Sequence, residues 1–512
     1  MKKLLVGIAL VGAACSPLAD SVNAGSAGVT TTEPVTVPTT STTVAPPIAA
    51  AASSTTTSTT TTTTLPEEPL ARFVDARTVG MAREGPVEGL LQFRGNPSRT
   101  WYGTGPVPTD PSIAWSFEIG CGLSTVGGET KSWCGSGWTG QPVVWERPDG
   151  VTEIIFGAYD RAVHFLDAAT GQPTRPEFPT EDINKGSATM DADGFPLLYF
   201  GSRDNRVRIV ALDRAVPTEL WAFFTPPNSI WNDDWDSNPT IIDDLLFEGG
   251  ENGIFYVWKL NRGYDDQGQV TVSPQLLRSV PSYNDSLVAQ VGRNVSIENS
   301  VAIYEGTAYF SNSGGRVVGV DLTNIDAGEA PVVFDYWVGD DVDATIVIDA
   351  DGMLYVSAEL EKFRARSAEL GQLIKLDPSA ENPFVWGVPV PPLFSGDDGG
   401  LWATPALGDG VIYASTHPGE LLAVDTTTGE VLWRDDIGHH AWSSPSLVDD
   451  TLVVSVNCEA GGGLRGYDVS DPTTPVEIWQ VDLQSGCIES TPAIWKGGIY
   501  VGSRDGNFYA FK

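Results

Sequence analysis

Eight side chains in this 512-residue chain share one place in a repeated pattern: Thr139, Lys185, Asp236, Glu298, Asp343, Trp402, Trp442 and Glu489. Each stands two residues before a small polar residue that opens an apolar run. The runs are QPVVW at 141, SATMD at 187, NPTII at 238, SVAIY at 300, TIVID at 345, TPALG at 404, SPSLV at 444 and TPAIW at 491. Side chains two apart on a strand point the same way, so the eight are expected on one face. Four carboxylates and two indoles gathered there suit a cation, because oxygens hold calcium and indole faces stack on an organic cation or a flat ring. The plainer alternative is a solvated entrance whose aromatics pack.

Longer connections bring more such residues to the same end: NSIWNDDWDSN at 228–238, GDDVDA at 339–344, FSGDDGGLWA at 394–403 and GHHAWSS at 438–444. Asp233, Asp234 and Asp236 are candidate metal ligands without EF-hand spacing. DADG at 191 and at 349 reads instead as a hairpin turn. The four histidines, His164, His417, His439 and His440, form no HExxH pair, and no GxSxG occurs, so zinc-protease and α/β-hydrolase chemistry find no support. His439 and His440 could ligate a metal from the loop they share, although neighbours on an extended strand diverge.

The elements that must position these residues are short strands. The eight small polar positions recur at separations of about 40 to 62 residues, the range of one propeller blade. Within several repeats an apolar strand, an Asp-Gly or similar turn, a second strand such as GVIYAS and a third such as LLAVD follow in order, and helical signal is scarce. In LLAVDTTTGEVLWRDDIG, the third strand runs through Ala423 to Asp425, Thr428 and Gly429 form the turn, and Trp433 lies on a fourth strand. FLDAATG at 165 and Trp221, Trp337, Trp386 and Trp479 repeat parts of this pattern. An indole at each blade's outer edge can be buried against the next blade. The last repeat ends at Lys512 after three strands, and SIAWSFEIG at 112–120 has the character of the missing fourth. The expected fold is therefore all-β: an eight-bladed propeller of four-stranded antiparallel blades, the last closed by an N-terminal strand, leaving no free edge.

The two ends set the compartment. Lys2 and Lys3 precede an apolar run too short to span a bilayer, which has the form of a secretory signal over residues 1–14. Cys15 follows Ala13 and Ala14 as in a lipobox, with Gly12 departing from the usual Leu or Val, and lipidation at Cys15 is expected. Residues 15–69 are a Thr-, Pro- and Ala-rich tether, 70–112 an N-terminal strap and 113–512 the propeller. Sixty-six acidic against 30 basic residues give a net charge of −36, which disfavours nucleic acid. Setting Cys15 aside leaves four cysteines in an oxidising compartment, paired Cys121 with Cys134 and Cys458 with Cys487.

FRGNPSRT at 93–100, the AWSFEIG strand and the repeated A-x-D-x-x-T-G-x-x-x-W pattern resemble the PQQ-like β-propeller repeat superfamily over about residues 90–512. The resemblance implies either a quinoprotein alcohol dehydrogenase or a cofactor-free propeller like the outer-membrane assembly lipoproteins. Those dehydrogenases usually carry two adjacent cysteines against the quinone. This chain has none, nor a CxxCH for haem. The expected function is an extracytoplasmic, lipid-anchored scaffold. It would be a monomer that binds a protein or small ligand at its upper face and a membrane through its lipid. The alternative is a PQQ- and calcium-dependent dehydrogenase of alcohols or sugars, with Asp236 or Asp343 as the base.

Overall fold

The computed structural model describes residues 72–512 except 127–128, 139, 457–461 and 484–486. The signal segment, Cys15, the tether, Thr139 and Cys458 lie outside the described residues. Eight sheets follow one another along the chain as the blades of an eight-bladed β-propeller, each with four antiparallel strands and those of blades one and eight widened to five by a strand from the strap. Their innermost strands are Val143–Glu146, Thr189–Met190, Thr240–Ile242, Ala302–Tyr304, Val347–Ile348, Ala406–Leu407, Ser446–Val448 and Ala493–Trp495. Blade eight takes its outer strand from Ile113–Glu118, which pairs antiparallel with Asn507–Phe511 from Ile113↔Phe511 to Glu118↔Asn507. The only α-helices among the described residues are two short ones, Asp285–Val291 and Ala365–Leu370.

Apolar packing is distributed between blades. One cluster joins Ile155 and Phe165 of blade one to Leu198 and Val210 of blade two, and another joins Phe508 and Ala510 of blade eight to Ile154 and Phe156 of blade one. The Asp-Thr-Gly-Trp pattern is the device that sets these interfaces. Asp425 accepts from the Thr427 and Thr428 amides at 2.9 and 2.7 Å, closing the turn. Gly429 follows at φ +75°, and a β-carbon there would lie 2.8 Å from the Trp386 ring of the preceding blade. The Trp386 indole N–H donates to Thr426 O at 3.0 Å. Where blades eight and one meet, Trp115 of the closing strand lies against Gly171 in the same way and donates to Ala168 O at 3.1 Å. A register shift opposite the tryptophan, as between Ala423 and Val424, bends the outer strand toward its neighbour.

The strap plugs the central channel. Gly89–Leu90 pairs with the innermost strand of blade one, and Gly103–Thr104 runs parallel to that of blade eight. Between them FRGNPSRT buries two arginines completely. Arg94 donates to Pro445 O at 2.8 Å and to Thr404 O. Arg99 donates to Phe93 O and Val301 O, both at 2.7 Å, to Asn238 Oδ1 at 3.1 Å and to Thr240 Oγ1. One octapeptide thus satisfies inward-facing groups of blades three, four, six and seven, as buried polar atoms require.

The Cys121–Cys134 disulfide is present, closing a hairpin that leads from the closing strand into blade one. Cys487 is also disulfide-bonded.

Candidate functional site

The small polar residue that opens each repeat has a mechanical duty. Its backbone N–H or side chain reaches the equivalent residue of the next blade: Gln141 N to Ser187 Oγ at 2.8 Å, Asn238 N to Ser300 Oγ at 3.1 Å, and Ser300 N to Thr345 Oγ1 at 3.0 Å. Thr345 N to Thr404 Oγ1 and Thr404 N to Ser444 Oγ continue the series at 3.0 Å each. Asn238 Nδ2 spans blades two and three by donating to Ser187 O at 3.1 Å. The strap bonds to this belt and to residues that follow it, so side chains two residues before it lie on the opposite, upper side.

Five of the eight expected mouth residues meet there. Asp236, Glu298, Asp343, Trp402 and Trp442, joined by Trp138, line a cleft of about 360 Å³ that opens to solvent. Lys185 stands at its wall, where its ammonium pairs with Asp236 and lies 4.7 Å above the Trp138 ring. Glu489 turns aside to Arg504, at 2.9 Å, so it does not line the cleft. Trp402 and Trp442 meet edge to face with centroids 5.3 Å apart.

Carboxylates crowd this space beyond those the repeat pattern marks. Asp236 approaches Glu251 and Glu298, and Asp341 approaches Glu359 and Glu361, each trio offering oxygens within 4.8 Å of one another. Burial would lift Asp236, but the Lys185 and Arg203 charges outweigh it and hold the carboxyl below its usual range. The same pairing outweighs burial at Lys185 and keeps its ammonium charged. Asp234, beside Arg203 at 2.6 Å, is nonetheless pushed up to about 7 by burial and by the Asp236 charge. Across the mouth Lys362, 3.9 Å from Asp341 Oδ2, offsets the acids only in part. Burial and then Glu298 push Asp341 up to about 8, and burial with neighbouring acids carries Asp343, Glu359 and Glu251 well above the carboxylate range. Carboxyls this close share protons, since like charges in a dry site cannot all ionise.

The residues that sequence reasoning missed follow the second strand of each blade. That position carries Arg203, Glu251, Ser313, Glu359, His417 and Arg504, one or two residues beyond the strand end. Aligning strand ends as well as strand starts would have found them. DADG at 191 and 349 is indeed a pair of turns, with Asp191 Oδ1 accepting from Asp193 N and Asp349 Oδ1 from Asp351 N. His439 and His440 do not diverge: His440 takes a left-handed φ of +61°, and the rings lie 3.7 Å apart.

Residues 371–512, from the end of blade five through blade eight, match the family described as outer membrane protein assembly factor BamB. The match takes in about the last quarter of the chain, and what the whole chain shares with such proteins is the eight-bladed propeller fold. A BamB of Shewanella oneidensis is 29% identical over 99 residues, which make up 19% of this chain and 24% of that protein, so the match spans about a quarter of the relative's length. Among solved structures, the quinohemoprotein alcohol dehydrogenase ADHIIG of Pseudomonas putida HK5 superposes with a TM-score of 0.56 at 11% identity, covering 83% of this chain and 80% of that one. A europium-containing methanol dehydrogenase gives 0.53 at 13% identity, over 83% and 98%. At these identities the likeness to the enzymes is one of fold.

The propeller's mouth does not fit the quinone itself. PQQ bears carboxylates of its own, and here it would meet those of Asp343, Glu298 and Asp236. Neither candidate base is poised to take a proton. Asp236 is clamped by Lys185 and held low, and Asp343 already tends to hold a proton. An all-oxygen trio such as Asp341, Glu359 and Glu361 does fit calcium.

Proposed function

We propose that this propeller is an extracytoplasmic binding scaffold, held to the cell envelope through Cys15 and the Thr-rich tether, whose mouth receives a cationic group of its ligand or protein partner. The observation that carries this reading is the buried acid wall. Asp341 and Glu359 are 5% and 2% exposed, and Asp341 Oδ1 and Glu359 Oε1 have no hydrogen-bond partner among the described residues. An unpaired buried carboxyl oxygen is costly, and an arriving cation relieves that cost. Lys185 already illustrates the mode, an ammonium between a carboxylate and an indole face. The envelope location is supported by the signal-like N-terminus and by the relative's description as an outer membrane assembly factor.

The test is a titration of the purified protein followed by tryptophan emission, in separate arms with a Lys-rich peptide, with Ca²⁺, and with PQQ in the presence and absence of Ca²⁺. Saturable binding in a cation arm, weakened at least about tenfold in a D341N/E359Q variant, is expected, since a charge-assisted contact contributes about 1.5–3 kcal/mol. Saturable PQQ binding with dye reduction by an alcohol would overturn the scaffold reading.

A further inference from the structure

Beside the acidic mouth, three loops bring together a different set of ligands. Asp397 comes from the connection between blades five and six, His417 follows the second strand of blade six, and His439 and His440 follow its fourth strand. Each offers one ligand atom, and the four atoms lie within 4.8 Å of one another. The ring centroids are 4.6 Å apart for His417 and His440 and 5.4 Å for His417 and His439. His439 Nε2 is 2.7 Å from Asp397 Oδ2.

The backbone is shaped to make this convergence. The left-handed φ of His440 turns its ring alongside that of His439, a conformation that costs free energy for a non-glycine residue. The His440 N–H donates to His417 O at 2.9 Å and ties the two loops together. At Gly419 a β-carbon would fall 2.4 Å from Gly438 C and 2.6 Å from His439 N, so only glycine lets the loops come this close. Two indoles complete the surround. Trp402 meets the His417 ring edge to face at 3.5 Å, and the Trp442 indole N–H donates to His417 Nδ1 at 2.8 Å. His417 is 2% exposed, so its ring orientation is fixed by packing.

We propose that Asp397, His417, His439 and His440 form a binding site for one divalent transition metal, of which zinc is the representative. Three imidazole nitrogens and one carboxylate oxygen are a donor set for zinc, cobalt, nickel or copper, whereas calcium and magnesium prefer oxygen alone. The donors therefore separate this site from the carboxylate trios of the mouth. Trp442 donates to His417 Nδ1, so the indole that forms one wall of the mouth is in direct contact with a proposed ligand and reports on metal binding.

The experiment uses the full chain purified without a polyhistidine tag and stripped with a chelator. Zn²⁺ is titrated by calorimetry and Co²⁺ by visible absorption, with tryptophan emission recorded alongside. One equivalent of Zn²⁺, the intense absorption of tetrahedral Co²⁺ and an emission change at the same stoichiometry are expected. Affinity should fall at least about 100-fold in H440A and in D397N, because loss of a ligand costs no less than loss of an outer-sphere partner. E359Q, which alters the mouth alone, should bind Zn²⁺ like the parent and so keeps failure of this site distinct from failure of the scaffold reading. Far-UV circular dichroism checks folding, and D397N, a near-isosteric change in a loop outside the blades' sheets, stands in if H440A does not fold. Absence of stoichiometric Zn²⁺ binding, an octahedral Co²⁺ spectrum, or binding that survives in the variants overturns the proposal.

Discussion

Replacing Arg99 by Ala should cost this propeller about 4 kcal/mol, because the side chain is the hub through which the strap holds the channel. Arg99 is fully buried and donates to Phe93 O, Val301 O, Asn238 Oδ1 and Thr240 Oγ1. Truncation takes the donor from Phe93 O and leaves Val301 O and Asn238 Oδ1 with only the longer bonds from Thr240 Oγ1 at 3.3 Å and Phe93 N at 3.2 Å. Each such loss costs about 1–3 kcal/mol. Partial collapse of the strap onto the vacated space offsets some of this, and removal of one partner from a buried charged network typically costs about 3–5 kcal/mol. At about 2.1 cal/mol/K per residue, the unfolding entropy of a domain of some 440 residues is about 0.9 kcal/mol/K, so 4 kcal/mol lowers Tm by about 4 °C. Urea unfolding followed by tryptophan emission gives the free energy, and differential scanning calorimetry gives the shift. R434A is the control, since Arg434 is exposed and pairs only with a surface Glu420, and it should stay within about 0.5 kcal/mol of the parent. An R99A protein within about 1 kcal/mol of the parent would show that the strap's contacts to the channel do not hold the ring.

Stability should fall as pH rises through neutrality, the reverse of a protein held by ion pairs. Burial lifts both Asp341 and Glu248 to about 8, so between about pH 4 and 8 the folded protein keeps protons that the unfolded chain has lost. The unfolded state then binds fewer protons, and unfolding free energy drops by up to about 1.4 kcal/mol per pH unit for each group. Urea midpoints at pH 5.5 and 8.0 measure this, and D341N or E248Q should each flatten the dependence; equal midpoints in the parent would refute it. A second prediction separates turn strain from blade docking. Gly429 and Gly410 both have φ near +75°, at +75° and +72°, but only at Gly429 would a β-carbon meet the Trp386 ring. G410A should cost about 1 kcal/mol from backbone alone, and G429A measurably more by urea unfolding, with equal losses arguing against the indole as the interface device.

The blade count was legible because the small polar residues share a task, five of them (Gln141, Asn238, Ser300, Thr345 and Thr404) donating a backbone N–H to the hydroxyl of the equivalent residue in the next blade. The closing strand was legible for a similar reason. Trp115 repeats the role of Trp386 at the one interface the linear order of repeats leaves open. The second ring of mouth residues was not legible, since the position after each second strand ranges from Arg203 through Ser313 to His417, with no shared residue type to align. Glu489 occupies the expected register but turns to Arg504, a partner 15 residues away that spacing alone does not reveal. The meeting of His439 and His440 depends on a left-handed backbone at one residue, and nothing in an adjacent pair of histidines specifies it. The two buried arginines of FRGNPSRT served as marks of resemblance, whereas their physical role required the inward-facing carbonyls of four blades.

The plug and the acid wall belong to one electrostatic arrangement. Arg94 and Arg99 fill the channel beside the belt, and Asp341 and Glu359, 5% and 2% exposed, have little access to water. Desolvation, with the neighbouring acids, is what raises these carboxyls, and it makes each of them a proton store at neutral pH. A cation entering the proposed site must displace such a proton, so binding should release protons and strengthen as pH rises from about 6 to 8, with a limiting slope of about one decade per pH unit for each proton released. The same rise in pH that lowers stability strips these protons and so raises cation affinity, and bound ligand restores what the empty mouth loses. Calorimetry of the Lys-rich peptide in two buffers of different ionisation enthalpy counts the protons directly. Release near one or more at pH 7, abolished in the D341N/E359Q variant, is the expected outcome. Binding without proton exchange would mean that the raised carboxyls take no part in holding the cation.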